Sequence, residues 1–103
     1  MTRILFLCSR NQWRSPTADA VYQNDPRVEV RSAAAQRRVT EKLLLWADFV
    51  LVVEHAHKQR LREQFPELVH DLQIEVPDIP DDYSYMDPEL VALIRERVEL
   101  LLA

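Results

Sequence analysis

Apolar and polar positions along this chain form blocks whose period switches between that of a strand and that of a helix. Ile4, Leu5, Phe6 and Leu7 make a continuous apolar run of strand length, the pattern of a strand covered on both faces. Ser15 then reads as a helix N-cap with Pro16 at the first helical position, opening a helix over 16–23, and Asp25 and Pro26 mark a turn. Residues 28–31 alternate as a strand does, Thr40 caps a helix running to Trp46, and 49–53 is a second buried strand. A helix over 55–64 ends before Pro66, and 72–76 is a fourth strand. Asp87 and Pro88 repeat the cap-and-proline signal and open a final helix whose apolar stripe is Leu90, Leu93, Ile94, Val98 and Leu101. Strands alternating with helices predict an α/β fold, a parallel sheet sandwiched between two helical layers. Trp46 and Phe49 are most simply core residues.

Composition narrows the class. At 103 residues there is room for one core, so 1–103 is expected to be a single domain. No segment approaches the roughly 18 apolar residues of a membrane helix. The apolar run ending at Cys8 is shorter than the core of a signal peptide and passes directly into polar residues. Cys8 is the sole cysteine, which excludes an internal disulfide and suits a reducing, cytoplasmic setting. The net charge of −4 hides an asymmetry: residues 1–42 hold eight Lys/Arg against four acids, whereas 43–103 hold five against thirteen. A basic half would attract anionic ligands, although solvated surface gives the same pattern. No basic stripe interleaved with aromatics points to nucleic acid. His55, His57 and His70 lack the supporting ligands of a metal site and read as helix-surface residues.

The candidate chemistry lies just after the first apolar run. Cys8 closes that run, Ser9, Arg10, Asn11, Gln12 and Trp13 follow, and Arg14 and Ser15 precede Pro16. A strand end feeding a helix start gathers backbone N–H groups and the positive end of the helix dipole, which attract anions. Arg14 has a planar guanidinium that can grip two phosphate oxygens at once. A thiolate at the base of such a cradle can attack phosphorus. Ser15 can cap the helix and also donate to the thiolate, and Asn11 tolerates the left-handed backbone a tight loop needs. The plainer alternatives are a small core cysteine, a surface arginine and a turn asparagine. Arg14 would then set a cation against the positive dipole end, which is unfavourable unless an anion lies between them.

Cys8, Asn11, Arg14, Ser15 and Pro16 stand in the spacing of the active-site loop of the low-molecular-weight protein tyrosine phosphatases, and this stretch resembles that loop. The resemblance continues in order through Val30, Arg31, Ser32 and Ala33, through residues 46–51, and through Pro80, Asp81, Asp82 and Tyr83. It is strongest to a short bacterial branch of predicted protein tyrosine phosphatases. The resemblance implies four parallel strands in the order 2-1-3-4, with Cys8 in the crevice beyond their carboxyl ends. It also implies a phosphomonoester hydrolase working through a phosphocysteine, with no metal or other cofactor. The expected partner is a phosphorylated protein or small phosphomonoester, with no membrane or nucleic acid. Cys8, Arg14 and Asp81 would be catalytic, and Ser9, Arg10, Asn11, Gln12, Trp13 and Ser15 would bind phosphate.

Several residues depart from the family pattern. Asp82 takes the place of the usual proline after the acid, and Asp78 and Asp87 lie close enough to compete with Asp81 for that role. Arg10 replaces a loop glycine in a chain without any glycine, and Trp13 replaces the second cysteine that many relatives carry. Segment 32–44 is shorter than its family counterpart, so the cleft is more open or the substrate differs. Two other readings remain at this point: a catalytically weak phosphate- or phosphopeptide-binding module, and a phosphocysteine carrier like the sugar-transport IIB proteins. A thioredoxin-coupled arsenate reductase is disfavoured by the missing later cysteines.

Overall fold

In a computed structural model, described for residues 1–8, 14–34, 39–52, 55–76 and 83–102, strands and helices alternate as the periodicity predicts. The elements are β1 (Thr2–Cys8), α1 (Arg14–Tyr22), β2 (Val28–Ala34), α2 (Glu41–Trp46), β3 (Phe49–Val52), α3 (His55–Gln64), α4 (Pro66–Val69), β4 (Ile74–Glu75) and α5 (Pro88–Leu102). All strand pairs are parallel and the order is β2-β1-β3-β4, as the resemblance implied.

β1 is central, and its alternation builds two cores. Ile4, Phe6 and Cys8 face one side, where they join Ala18 and Tyr22 of α1 and Leu90, Ile94 and Val98 of α5. Leu5 and Leu7 face the other, with Val50 and Val52 of β3, Leu44 of α2 and Leu61 of α3. This is why a continuous apolar run was needed: a strand between two helical layers has no solvent face. The register is pinned at the start of β3 by Asp48. Its carboxylate accepts the Arg3 N–H at 2.9 Å, while its own N–H donates to the Arg3 carbonyl at 2.8 Å.

Several boundaries differ from expectation. β2 continues through Ser32, Ala33 and Ala34, because each pairs with a residue of the central strand and the ladder overrides weak local propensity. β4 is shorter than 72–76, and Pro77 follows Val76 with no N–H for a ladder bond. α4 was not foreseen: the Phe65 N–H still closes α3 on the Leu61 carbonyl at 2.8 Å, and Pro66 starts a new short helix rather than only ending the old one. Trp46 and Phe49 both pack against the core, but on opposite faces of the sheet. Trp46 lies against the α2 and α3 side and Phe49 against the α1 and α5 side, both half-buried, with the Arg31 guanidinium 4.4 Å above the Trp46 ring. Thr40 does cap α2, accepting the Leu43 N–H at 3.1 Å.

Candidate active site

Cys8 is the last residue of β1, opposite Ala34 at the carboxyl edge of the sheet, and it is fully buried. A chain of five residues, 9–13, separates it from the first turn of α1. That helix packs on the β1 and β2 face, so its N-terminus stands at the same edge as the thiol. No acidic residue occupies its first turn, so the helix itself supplies no carboxylate against the positive end of its dipole.

One expectation about this helix is corrected. Ser15 is not the N-cap, because α1 already begins at Arg14 and Ser15 lies inside the first turn. Pro16 is thereby the third helical residue. It is tolerated there because the first four N–H groups of a helix have no intrahelical acceptor to lose. The consequence is a helix N-terminus nearer to Cys8 along the chain than the cap reading put it, and an Arg14 whose backbone is already helical. Ser9, Arg10, Asn11, Gln12 and Trp13 lie outside the described residues, as do Asp78, Asp81 and Asp82.

The chain re-enters the described region at Tyr83, which packs against the cluster containing Cys8. Ser84 to Asp87 form a turn closed by the Asp87 N–H on the Ser84 carbonyl at 3.1 Å, and Met86 takes a left-handed φ of 61°. Asp87 then caps α5, its carboxylate accepting the Glu89 N–H at 2.9 Å, as its sequence signal implied. This accounts for Asp87 structurally. Sequence reasoning missed Thr17. It is the one fully buried polar residue among the described residues, and its Oγ1 accepts the Met86 N–H at 3.0 Å, joining α1 to the turn before α5.

Two of the described basic residues of the amino-terminal half, Arg27 and Arg31, are engaged by acids. Arg27, at the amino edge of the sheet and so opposite to Cys8, donates to Asp25 at 2.8 Å and to Glu99 of α5 at 2.8 Å. Hydrogen bonds from Arg27 hold the Asp25 carboxyl down at about 2, and they lower Glu99 as well. Arg31 is engaged by Glu29 at 3.3 Å. Among the described residues no helix is long and apolar enough to cross a membrane.

No family model matches the chain. A curated relative, the protein-arginine-phosphatase of Geobacillus stearothermophilus, is 33% identical over 93 residues, and the match covers 63% of this chain and 63% of that protein. The chain thus matches less than two thirds of that relative's length. The solved structure of the YwlE arginine phosphatase from Geobacillus stearothermophilus superposes with a TM-score of 0.76 at 27% identity, covering 98% of this chain and 93% of the other. The solution structure of a low molecular weight protein tyrosine phosphatase from Bacillus subtilis gives 0.77 at 24% identity, covering 97% of each chain.

Proposed function

We propose that this chain, which has the fold of the low-molecular-weight protein tyrosine phosphatases and resembles them in sequence, is a single-domain phosphohydrolase that works through a phosphocysteine. One observation carries the reading: the lone cysteine ends the central strand at the carboxyl edge, five residues before a helix whose N-terminus is bare of acids. That arrangement concentrates fixed positive potential where a phosphoryl group must sit while its charge redistributes.

In this reading Cys8 Sγ, as thiolate, attacks phosphorus in line with the leaving group. The S–P bond forms as the P–O bond breaks, and Asp81 supplies the proton that the departing oxygen needs. Arg14, with Ser15 and loop residues Ser9, Arg10, Asn11, Gln12 and Trp13, binds the equatorial oxygens. Asp81, now a carboxylate, takes a proton from water as that water attacks the phosphocysteine, releasing phosphate and the thiolate. Arginine and N–H donors supply the charge stabilisation, so the scheme uses no metal. The nucleophile must stay reduced, which suits the cytoplasm, and the substrate is a phosphorylated protein. The curated relative favours a second substrate class, phosphoarginine, in which the same steps break a P–N bond.

The test is turnover of p-nitrophenyl phosphate, a phosphotyrosine peptide and a phosphoarginine peptide by the reduced protein in the presence of EDTA. Cys8→Ser should abolish hydrolysis of all three while phosphate binding persists. Arg14→Lys should lose on the order of 100-fold, because an ammonium cannot reproduce a bidentate contact in the transition state. Activity surviving in Cys8→Ser would sink the mechanism. Phosphate binding without turnover in the wild type would leave a binding module.

A further inference from the structure

We infer that the corner between α3, α4 and β4 is a second anion site, a pocket for a small organic oxyanion such as a phosphonate or carboxylate carried on an apolar body. A cavity of about 440 Å³ opens there, lined by Lys58, Arg62, Pro66, His70, Leu72 and Ile74. That volume is in the range of small-molecule sites, and so is the make-up of its wall, apolar surface with a few converging polar groups. It is not the phosphoryl site. Leu72 and Ile74 pack on the core of the α2 and α3 face, whereas Cys8 belongs to the core on the opposite face of the sheet. β4 also lies two strand spacings, about 10 Å, from the strand that carries Cys8.

The chemistry follows from how the corner is built. α3 buries Leu61 in the core, and Lys58 and Arg62, four residues apart, share the adjoining stripe of the same helix. Like charges at that spacing weaken a helix, a cost that an anion between them removes. α3 closes with the Phe65 N–H on the Leu61 carbonyl at 2.8 Å, and the restart at Pro66 turns the chain so that His70, at the C-cap of α4, lines the same cavity. Leu72 and Ile74 supply the apolar floor as the chain enters β4, where Ile74 pairs with Val50. Glu63, Glu67 and Asp71, the acids beside these residues in sequence, are exposed and line none of the cavity. Among the described residues no ion pair or side-chain hydrogen bond engages Lys58, Arg62 or His70, in contrast to Arg27 and Arg31. Two cations and an imidazole thus converge on one cavity with donors to spare. An oxyanion satisfies them, and its apolar body covers Leu72 and Ile74.

Phenylphosphonate, which has no ester bond to hydrolyse, is the probe, and amide shifts in two-dimensional NMR spectra locate it. Titration should shift the amides of Lys58, Arg62, His70, Leu72 and Ile74 together and saturably. Lys58→Gln combined with Arg62→Gln should weaken that binding on the order of tenfold, a few-fold for each solvent-accessible cation removed. Lys58→Arg combined with Arg62→Lys keeps both charges and should stay within a few-fold of wild type. Benzyl alcohol, an apolar body without the anion, should bind on the order of tenfold more weakly than phenylphosphonate. The pocket is overturned by unshifted amides at these positions, by unchanged affinity in the glutamine pair, by an equal loss in the charge-keeping pair, or by benzyl alcohol binding as tightly. Shifts at Arg14 and Ser15 report on the phosphoryl site instead. Seen alone, they overturn the pocket and support the phosphatase reading; if only the α3, α4 and β4 amides shift, the pocket stands and the phosphatase reading loses support.

Discussion

Replacing Ile94 with alanine should test whether α5 is held by the stripe that also covers Cys8. Ile94 is fully buried between Leu90 and Val98 on one face of α5, against Ile4, Phe6 and Cys8. The substitution removes the side chain beyond Cβ, and at about 0.8 kcal/mol for each methylene-sized group the transfer loss is roughly 2.4 kcal/mol. A residual cavity adds to this, since α5 is anchored above and below by neighbours that cannot both relax inward, giving about 3–4 kcal/mol in total. Ile94→Val leaves most of the volume and should cost about 0.5–1.5 kcal/mol. Leu100 on the same helix is 64% exposed, so Leu100→Ala should stay within about 0.5 kcal/mol. In urea titrations the midpoints should rank wild type with Leu100→Ala, then Ile94→Val, then Ile94→Ala, with m unchanged. In thermal melts Ile94→Ala should lose roughly 15–25 °C, at about 4–8 °C for each kcal/mol in a domain of this size. A loss below about 1 kcal/mol in Ile94→Ala, or an equal loss in Leu100→Ala, would refute the assignment of that stripe as the seat of the helix.

Acid stability offers another check. Asp25 is held at about 2 against an ordinary 3.8, so it stabilises the fold fully above pH 3.8 and loses that contribution as pH falls from 3.8 towards 2. Asp25→Asn should therefore have a lower urea midpoint than wild type at pH 6, with the gap closing as pH approaches 2 and shrinking in 1 M salt; a gap independent of pH would mean that Arg27 does not act through that carboxylate. Tyr22 is 2% exposed and its hydroxyl has no hydrogen-bond partner among the described residues, so Tyr22→Phe should raise stability by on the order of 1 kcal/mol, read as a higher melting temperature. A lower melting temperature would show that the hydroxyl is satisfied through water.

What could be read from the sequence was local in origin. The apolar run from Ile4 to Leu7 implied a strand covered on both faces, and Asp87 with Pro88 marked the start of α5, because each signal depends on residues within a turn or a strand of one another. The alternation of elements implied the parallel sheet. The strand order came from resemblance, and the pairings of β1 with β2 and β3 bear it out. The spacing of Cys8, Arg14 and Pro16 was legible for the same reason: the joint between a strand end and a helix start is itself a local structure.

Only the tertiary structure decided features that depend on partners far away in the chain. The end of β2 at Ala34 follows from the length of β1 beside it, not from the weak strand preference of Ser32 and the alanines. Trp46 and Phe49, near neighbours in sequence, were sent to opposite faces because a helix ends and a strand begins between them. Arg27 looked like part of a basic amino-terminal half until Glu99, from the far end of the chain, closed on it. Thr17 carried no signal of its own: a threonine inside a helix acquires a purpose only when Met86, 69 residues later, brings an N–H to its oxygen. Periodicity reports which side of an element is buried; it says nothing of which distant residue arrives there, because that depends on how the packed layers come together.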